Sequence, residues 1–434
     1  MSGGQPSILV IGGGIAGIEA ALGASALGAK VYLVEAQPSL GGRVAQLSLL
    51  YPQLSSSLEV LAPRMEKVVS DPNIEALVYA EVKEASRTGD TFKVKVVKKA
   101  RHVDLSKCDL CGKCAEACPV EVPSEFDLGL SKRKAVYLPF NGAVPKAYVV
   151  DEASCPYFKD KSCTACRDAC PKGAINLDGK PSEVEVNVDA VIIAAGYDLY
   201  DLRLKREYGF NVYSDVITGL QLERMLSPEG PTKGEVIVPS RGEKPRSLAI
   251  VLCAGSRDET ALPYCCRVGC MAGLKHAYEV KKKYGADVDV YLCFNDVRAA
   301  GKGYEEFYRE ARRNGLVMVR GQPSEVRPTP EGGLTMKVFD EATNKLLRLN
   351  LDLIVLEAGI VPSSGCLKAA EIFGVERSPD GFLAEADPRL DTWSTKTPGV
   401  FIAGACHSPK DIAEAVSQAK AAALAAVAYA RGKH

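Results

Sequence analysis

The spacing of eight cysteines constrains this chain more than any other feature. Cys108-x2-Cys111-x2-Cys114-x3-Cys118-Pro119 is followed by Cys155-x7-Cys163-x2-Cys166-x3-Cys170-Pro171. In such a run one tight loop presents three thiolates to a cubane 4Fe-4S cluster, and the cysteine before the proline reaches a neighbouring cluster from a short helix. That rule assigns Cys108, Cys111, Cys114 and Cys170 to one cluster, and Cys155, Cys163, Cys166 and Cys118 to a second. The x7 gap after Cys155 departs from the compact spacing and reads as a loop insertion. A zinc site would show two C-x2-C pairs per ion and would leave the repeated run unexplained. The chain has 15 cysteines, an odd number, and its opening residues MSGGQPS lack the basic start of an export signal. A disulfide framework is therefore not expected.

A second pattern encloses the cysteines. The apolar run Ser7-Ile8-Leu9-Val10-Ile11 meets Gly12-Gly13-Gly14-Ile15-Ala16-Gly17. A helical stretch from Ile18 to Leu27 follows, and a strand from Lys30 to Val34 ends at Glu35. The order strand, G-x-G-x-x-G, helix, strand, acid reads as a dinucleotide-binding lobe. Gly12 makes the tight turn, Gly14 lets backbone approach a pyrophosphate, and Gly17 lets the helix pack close to the strand. The helix start, with Ala16 in it, offers free N–H groups to the phosphates. Glu35, 18 residues after Gly17, is placed to accept from ribose hydroxyls, which favours FAD or NAD over NADP. Leu40-Gly41-Gly42-Arg43 comes next. A loop of this kind resembles that of FAD-binding relatives of the thioredoxin and glutathione reductases, which puts FAD first and Gly42 and Arg43 on it.

The run Val188 to Gly196 reads as a buried strand ending in A-x-G, where the FAD lobe resumes. The expected architecture is α/β: a two-lobed, thioredoxin-reductase-like flavoprotein of Rossmann-type lobes with an inserted ferredoxin-like domain. Its parts are FAD lobe 1–100, a two-cluster insertion 101–180, FAD lobe 181–205, a second nucleotide-like lobe 206–360 and a C-terminal FAD part 361–434. The second lobe's strand ends in Cys253-Ala254-Gly255-Ser256-Arg257-Asp258 with no glycine triplet, so it is not expected to bind NAD. Thr397 to Ala405 reads as the second FAD signature, with Gly404 on the cofactor. Ala405 stands where many such proteins carry Asp, so that contact must come from elsewhere. An alanine-rich helix from Ile412 to Ala430 would aim its N-terminus at the flavin. Lys410 and Asp411 would either touch the flavin or cap that helix.

Lys+Arg 54 against Asp+Glu 54 leaves no net charge, which argues against nucleic-acid binding. No run reaches the ~18 apolar residues of a membrane span. A cytoplasmic chain is expected, with any membrane association made through partner subunits. Lys132-Arg133-Lys134 is either a solvated face or a docking patch for an acidic electron carrier. Histidines stand only at 102, 276, 407 and 434, with no recognisable triad.

A third cysteine group follows the second lobe's strand: Cys253, then Tyr264-Cys265-Cys266-Arg267-Val268-Gly269-Cys270. Together with Ile8–Gly17, Gly41-Gly42-Arg43, both cysteine runs, Val122-Pro123-Ser124-Glu125-Phe126-Asp127, Gly301-Lys302-Gly303-Tyr304-Glu305-Glu306-Phe307-Tyr308 and Ser408-Pro409-Lys410-Asp411-Ile412, it closely resembles the heterodisulfide reductase A-subunits along nearly the whole chain. The resemblance implies a third 4Fe-4S cluster near the flavin. The family's pattern there has a cysteine at the position of Gly269, so Cys253, Cys265, Cys266 and Cys270 are the expected ligands, with Cys266 in place of the missing one. It implies a lysine beside flavin N5, at Lys275, where a cation would stabilise charge developing on the ring. It also implies an oxidoreductase that is an electron-transfer subunit, passing electrons between FAD, clusters and B- and C-like partner subunits, with flavin-based bifurcation, a ferredoxin or hydrogenase-type donor, and homodimerisation within a larger complex. Family members carry additional N- and C-terminal domains that are not expected here, and the serines at 55–57 stand where cluster cysteines occur in relatives. Two other readings are a related A-subunit of the quinone-interacting membrane-bound oxidoreductase and a self-contained NAD(P)H-dependent flavin reductase.

Overall fold

In the computed structural model, which describes residues 4–330 and 332–432, two parallel sheets form the two lobes. Met1–Gly3 of the opening segment and the histidine at 434 lie outside the described residues. The first sheet orders its strands Val400–Ile402, Ala190–Ile193, Ser7–Ile11, Lys30–Glu35, Ile74–Val78, all parallel. Its central strands are apolar without alternation, as strands covered on both faces must be. The helix Ile15–Ala26 covers one face beside Ile412–Arg431. Small residues let these two helices approach: a Cβ built on Gly23 would stand 3.2 Å from the Ala423 Cβ. Strand order reverses on either side of Ser7–Ile11, and the crevice beyond the carboxyl ends of such strands is where an open α/β sheet binds ligands.

The antiparallel strands Ala80–Thr88, Thr91–Lys98 and Ser182–Val188 form a three-stranded sheet beside it. Lys98 and Ser182 sit directly opposite each other in that ladder. The chain therefore leaves at one point, lays down the short helices Lys113–Ala117, Pro156–Asp160 and Ala165–Asp168 around a small core of their own, and returns beside its exit.

The second sheet runs Val216–Thr218, Leu353–Ala358, Ser247–Ala254, Asp289–Phe294, Val317–Arg320, again parallel. The strands Tyr197–Leu199 and Ile360–Pro362 pair antiparallel as the chain passes between lobes. The run Ala272-Gly273-Leu274-Lys275-His276-Ala277 reads as the start of a helix; the helix Gly269–Tyr284 begins three residues before it, and this puts Cys270 inside its first turn.

Candidate functional site: a dinucleotide crevice and three groups of thiols

The first glycine turn is fixed by its own backbone. A Cβ on Gly12 would lie 2.4 Å from the Ala194 carbonyl oxygen, and one on Gly17 would lie 1.7 Å from the Gly12 oxygen. Gly14 differs. A Cβ there meets nothing closer than 3.9 Å, one on Gly365 nothing closer than 3.8 Å, and one on Gly196, at φ 75°, nothing within 4 Å. These three open onto the crevice, whereas Gly42 closes on Gly14 and Gly404 on Ala16. The helix Ile15–Ala26 starts at Gly14 with no side-chain cap, so its first N–H groups remain free for a phosphate.

Glu35 is buried, and burial lifts its pKa against the lowering effect of nearby N–H groups. Its carboxylate accepts from the N–H of Gly13 at 2.5 Å and of Gln37 at 2.6 Å; each oxygen keeps a lone pair for a further donor. Arg43 reaches Asp198 at 2.9 Å and Gln46 at 3.1 Å. At the other end of the crevice Asp411 caps the helix Ile412–Arg431 in a reciprocal capping box with Glu414, and it accepts from the Tyr304 hydroxyl at 2.6 Å. Capping and any flavin contact are thus not exclusive. The shape suits an extended dinucleotide: an open glycine cradle, an uncapped helix end and an acid where a ribose would lie.

The cysteines of the inserted segment fall into two sets. Cys108, Cys111, Cys114 and Cys170 line one cavity with Gly112 and Tyr148. Cys114 is raised to about 11 by burial and by the nearby Cys108 and Cys170. Cys166 is raised by burial and by Cys155 and Cys118, and Cys155 by burial, Cys163 and Cys118. Each thiol preceding a proline therefore sits with the other run's three. Among the described residues no three thiol, imidazole or carboxylate groups close tightly enough for a single ion; a four-iron cluster takes one thiolate per iron and needs a wider ring of sulfurs. The basic triplet Lys132-Arg133-Lys134 is not an open patch. Lys132 and Lys134 pair with Glu121, and Arg133 pairs with Glu125 and Asp151.

The third group lies at the switch point of the second sheet. Cys253, at φ 59°, is the last residue but one of the strand Ser247–Ala254, and Cys270 lies in the first turn of the helix Gly269–Tyr284, which has no side-chain cap. Cys266 and Cys270 both feel Cys253 and Cys265 as neighbouring charges. A Cβ built on Gly269 would stand 2.9 Å from the Cys266 Sγ, so the Cys266 sulfur fills the room a side chain at 269 would use. Arg267, between these thiols, pairs with Glu414 of the capping box. The thiol group and the start of the last FAD-lobe helix are thereby tied together.

Lys275 is placed differently from a cation lining open space. It is 2% exposed, pairs with Glu223 and donates to the Leu49 carbonyl at 2.8 Å. His276 bridges Glu223 at 2.8 Å and Glu357 at 2.7 Å. Burial would lower the imidazole, but the Glu357 and Glu223 carboxylates outweigh it and hold His276 up at about 9. Burial raises Glu223 in turn, yet Lys275 and His276 keep it well below the usual carboxylate range. Burial lifts Glu279, whose Oε1 accepts from Ser48 Oγ at 3.1 Å. Sequence reasoning missed this buried cluster, because its acids come from three separate elements.

The comparisons agree with this geometry. Residues 7–100 match a family model described as FAD dependent oxidoreductase, and residues 101–124 match a 4Fe-4S binding domain. Solved thioredoxin reductases from T. acidophilum and Lactococcus lactis share the fold, each with a TM-score of 0.54 over 99% of this chain and 100% of theirs, at 15% and 14% identity. Lobes, crevice and thiols define an iron–sulfur flavoprotein oxidoreductase. Among curated proteins, the iron-sulfur A-subunit of the CoB--CoM heterodisulfide reductase from Methanocaldococcus jannaschii is 46% identical over 96% of this chain and 63% of its own length. The A-subunit of the H(2):CoB-CoM heterodisulfide,ferredoxin reductase from Methanothermobacter thermautotrophicus is 45% identical over 98% of this chain and 64% of its own. The chain belongs to this heterodisulfide reductase A-subunit family and spans a little under two thirds of these relatives.

Proposed function

We propose that the protein is the electron-transfer hub of a heterodisulfide reductase-like complex, holding one FAD and three 4Fe-4S clusters. The carrying observation is the tie between Arg267 and Glu414, which seats the third thiol group against the helix that starts at the FAD crevice. FAD would occupy the crevice built from Gly12, Gly14, Ala16, Gly17, Glu35, Gly42, Arg43, Gly196, Gly404, Lys410, Asp411 and Ile412. A flavin there supplies two-electron chemistry that can be split into the single electrons clusters carry. Cys253, Cys265, Cys266 and Cys270 would hold the third cluster, with Cys266 in the place vacated at Gly269. That cluster would stand where a dinucleotide's pyrophosphate sits in an NAD lobe, at the end of the first strand and the start of the next helix. The lobe is then unavailable to NADH. The four-ligand set around Cys111, an exposed thiol, is the outward port to partner subunits of the B and C kind. Lys275, whose charge Glu223 already balances, would bear on the ring only as part of the buried Glu223–His276 cluster beside Ser48–Leu49. The FAD lobe, the inserted two-cluster segment and the second lobe act as separate domains in this reading.

Iron and flavin analysis of anaerobically prepared protein tests it. Three clusters predict about twelve iron atoms per flavin, at four per cluster. The variant Cys266→Ser is expected to lose about a third of that iron while staying yellow. NADH should leave the flavin colour unchanged. About eight iron atoms in the unmodified chain would remove the third cluster from the scheme.

A further inference from the structure

The last FAD-lobe helix begins beside a cation that has no carboxylate within ion-pair distance among the described residues. Lys410 Nζ donates to His407 Nδ1 at 2.8 Å and to Gln418 Oε1 at 2.9 Å, and it forms no ion pair among the described residues. Gln418 Oε1 also accepts from the Gly404 N–H at 2.9 Å, and Gln418 Nε2 donates to the Thr392 carbonyl at 2.6 Å. Lys410 is therefore pinned to the glycine turn of the second FAD signature. Behind it, His407 Nε2 lies 3.3 Å from Glu385 Oε2, with the two side chains 13% and 20% exposed. Because Nδ1 accepts from Lys410, the imidazole proton belongs on Nε2, facing Glu385.

An unpaired ammonium there is unfavourable by itself. It adds positive charge to the positive end of a 20-residue helix, and it does so in a partly desolvated place. The arrangement makes sense if an electron-rich group faces it from the crevice. We propose that Glu385, His407 and Lys410 form a relay aimed at the pyrimidine edge of the bound flavin, in which Lys410 is the counter-cation of the reduced ring and, where it has lost its proton, regains one from solvent when the ring accepts electrons. This rests on the reading that FAD fills the crevice. The balance is simple. Two electrons reach the ring from a cluster or an external reductant, one proton passes from water to the Lys410 nitrogen where that nitrogen has lost its own, and no bond of the polypeptide breaks.

The charges around the relay support it. Burial brings Lys410 down to about 8, outweighing Cys406, Glu414 and Glu385, while Arg267 adds to the lowering. Burial and Lys410 lower His407 as well, against Glu385 and Asp380. The Lys410 proton is thus lost only a little above neutrality, as pH rises through about 8. The charge of a reduced ring would hold it in place.

The test is a redox titration of the flavin absorbance in the full protein, repeated from about pH 6.5 to about pH 9.5. Below pH 8 Lys410 is protonated in both redox states, so the potential follows the ring's own proton uptake. Above it the slope should steepen by one proton per two electrons. Lys410→Met should abolish the steepening and lower the potential at neutral pH. Lys410→Arg keeps the charge and should show neither the steepening nor the lowering. Glu385→Gln should move the break to lower pH. A straight line through pH 8 in the unmodified protein, or steepening that persists in Lys410→Met, would overturn the relay. If Lys410→Met fails to fold, the arginine and Glu385→Gln variants decide. An unmodified protein that binds no FAD would overturn the parent reading instead, whereas one with full flavin and no break overturns only the relay.

Discussion

At the scale of single residues, the buried cluster around Glu223 shows how much depends on pairing. One carboxylate serves Lys275 and His276 and also accepts from the Ser48 N–H at 2.9 Å. Removing one partner of such a buried set strands charge in low dielectric, which costs about 3–5 kcal/mol. His276 gives this a pH signature. Its folded pKa, about 9, lies above the ordinary imidazole value of 6.5. The stabilisation is therefore complete below about pH 6.5 and is lost as pH rises through about 9. Measured as the urea midpoint, the advantage of the unmodified protein over His276→Gln should be large near pH 6 and shrink toward pH 10. An advantage that stays constant over that range would show that the imidazole is not held charged. None of this was legible from spacing. Glu223 and Lys275 are 52 positions apart and His276 and Glu357 are 81 apart, and no local pattern marks two residues that meet only through packing. The glycine turn and the two cysteine runs were legible because each performs its task within one short stretch of chain, where spacing is geometry.

At the scale of elements, the sequence Val122–Asp127 stood out only by resemblance, and the structure gives it a physical task. Asp127 accepts from Arg224 at 2.9 Å with side chains 17% and 5% exposed. The Phe126 carbonyl accepts from Gln46 at 2.9 Å and the Leu128 carbonyl from Gln221 at 3.2 Å. The Phe126 ring stacks on Phe140 at 4.9 Å, with the Arg224 guanidinium 4.7 Å from its centroid. One loop of the cluster-bearing segment is thus latched to both lobes, since Gln46 belongs to the first and Gln221 and Arg224 to the second. In the proposed electron-transfer reading, such a latch would hold the cluster-bearing segment at a fixed distance from the crevice. Arg224→Met should leave Asp127 with only the Ser124 and Ser131 hydroxyls and cost about 3–5 kcal/mol, most of it recovered in the double variant Asp127→Leu/Arg224→Met. Differential melting and proteolysis within residues 101–180 would measure this. An Arg224→Met protein that melts and resists protease like the unmodified one would remove the latch from the account. The helix boundaries show the same limit of pattern reading. The helix Gly269–Tyr284 starts early because Cys270 and Met271 are buried in its first turn, where a glycine start looks like loop.

At the scale of the molecule, the insertion is the consequential feature, and its topology makes a strong claim. Lys98 and Ser182 are direct partners in an antiparallel ladder, so a two-residue turn could join them and close an ordinary hairpin. The inserted segment keeps its own core, with Val103, Val136, Val150, Ala174 and Ile175 packed among the thiols. It holds the FAD lobe at several points: Arg101 donates to the Pro38 carbonyl, the Phe126 carbonyl accepts from Gln46, and Val144 braces the Leu40 loop, its carbonyl accepting from the Leu40 N–H at 2.9 Å and its side chain joining that lobe's core. Replacing residues 99–181 by Asn-Gly should therefore leave a folded two-lobed protein, as insertions at adjoining ends allow. Its iron should fall from about twelve to about four atoms, the third cluster alone remaining. FAD should bind more loosely, because the Leu40–Gly41 loop that closes on Gly14 loses its support. Far-ultraviolet circular dichroism, iron content and flavin dissociation on dilution would read the three effects separately. A variant that is unfolded would mean that the lobes depend on the cluster segment for their stability. A folded variant with unchanged flavin affinity would mean that Val144 does not brace the crevice.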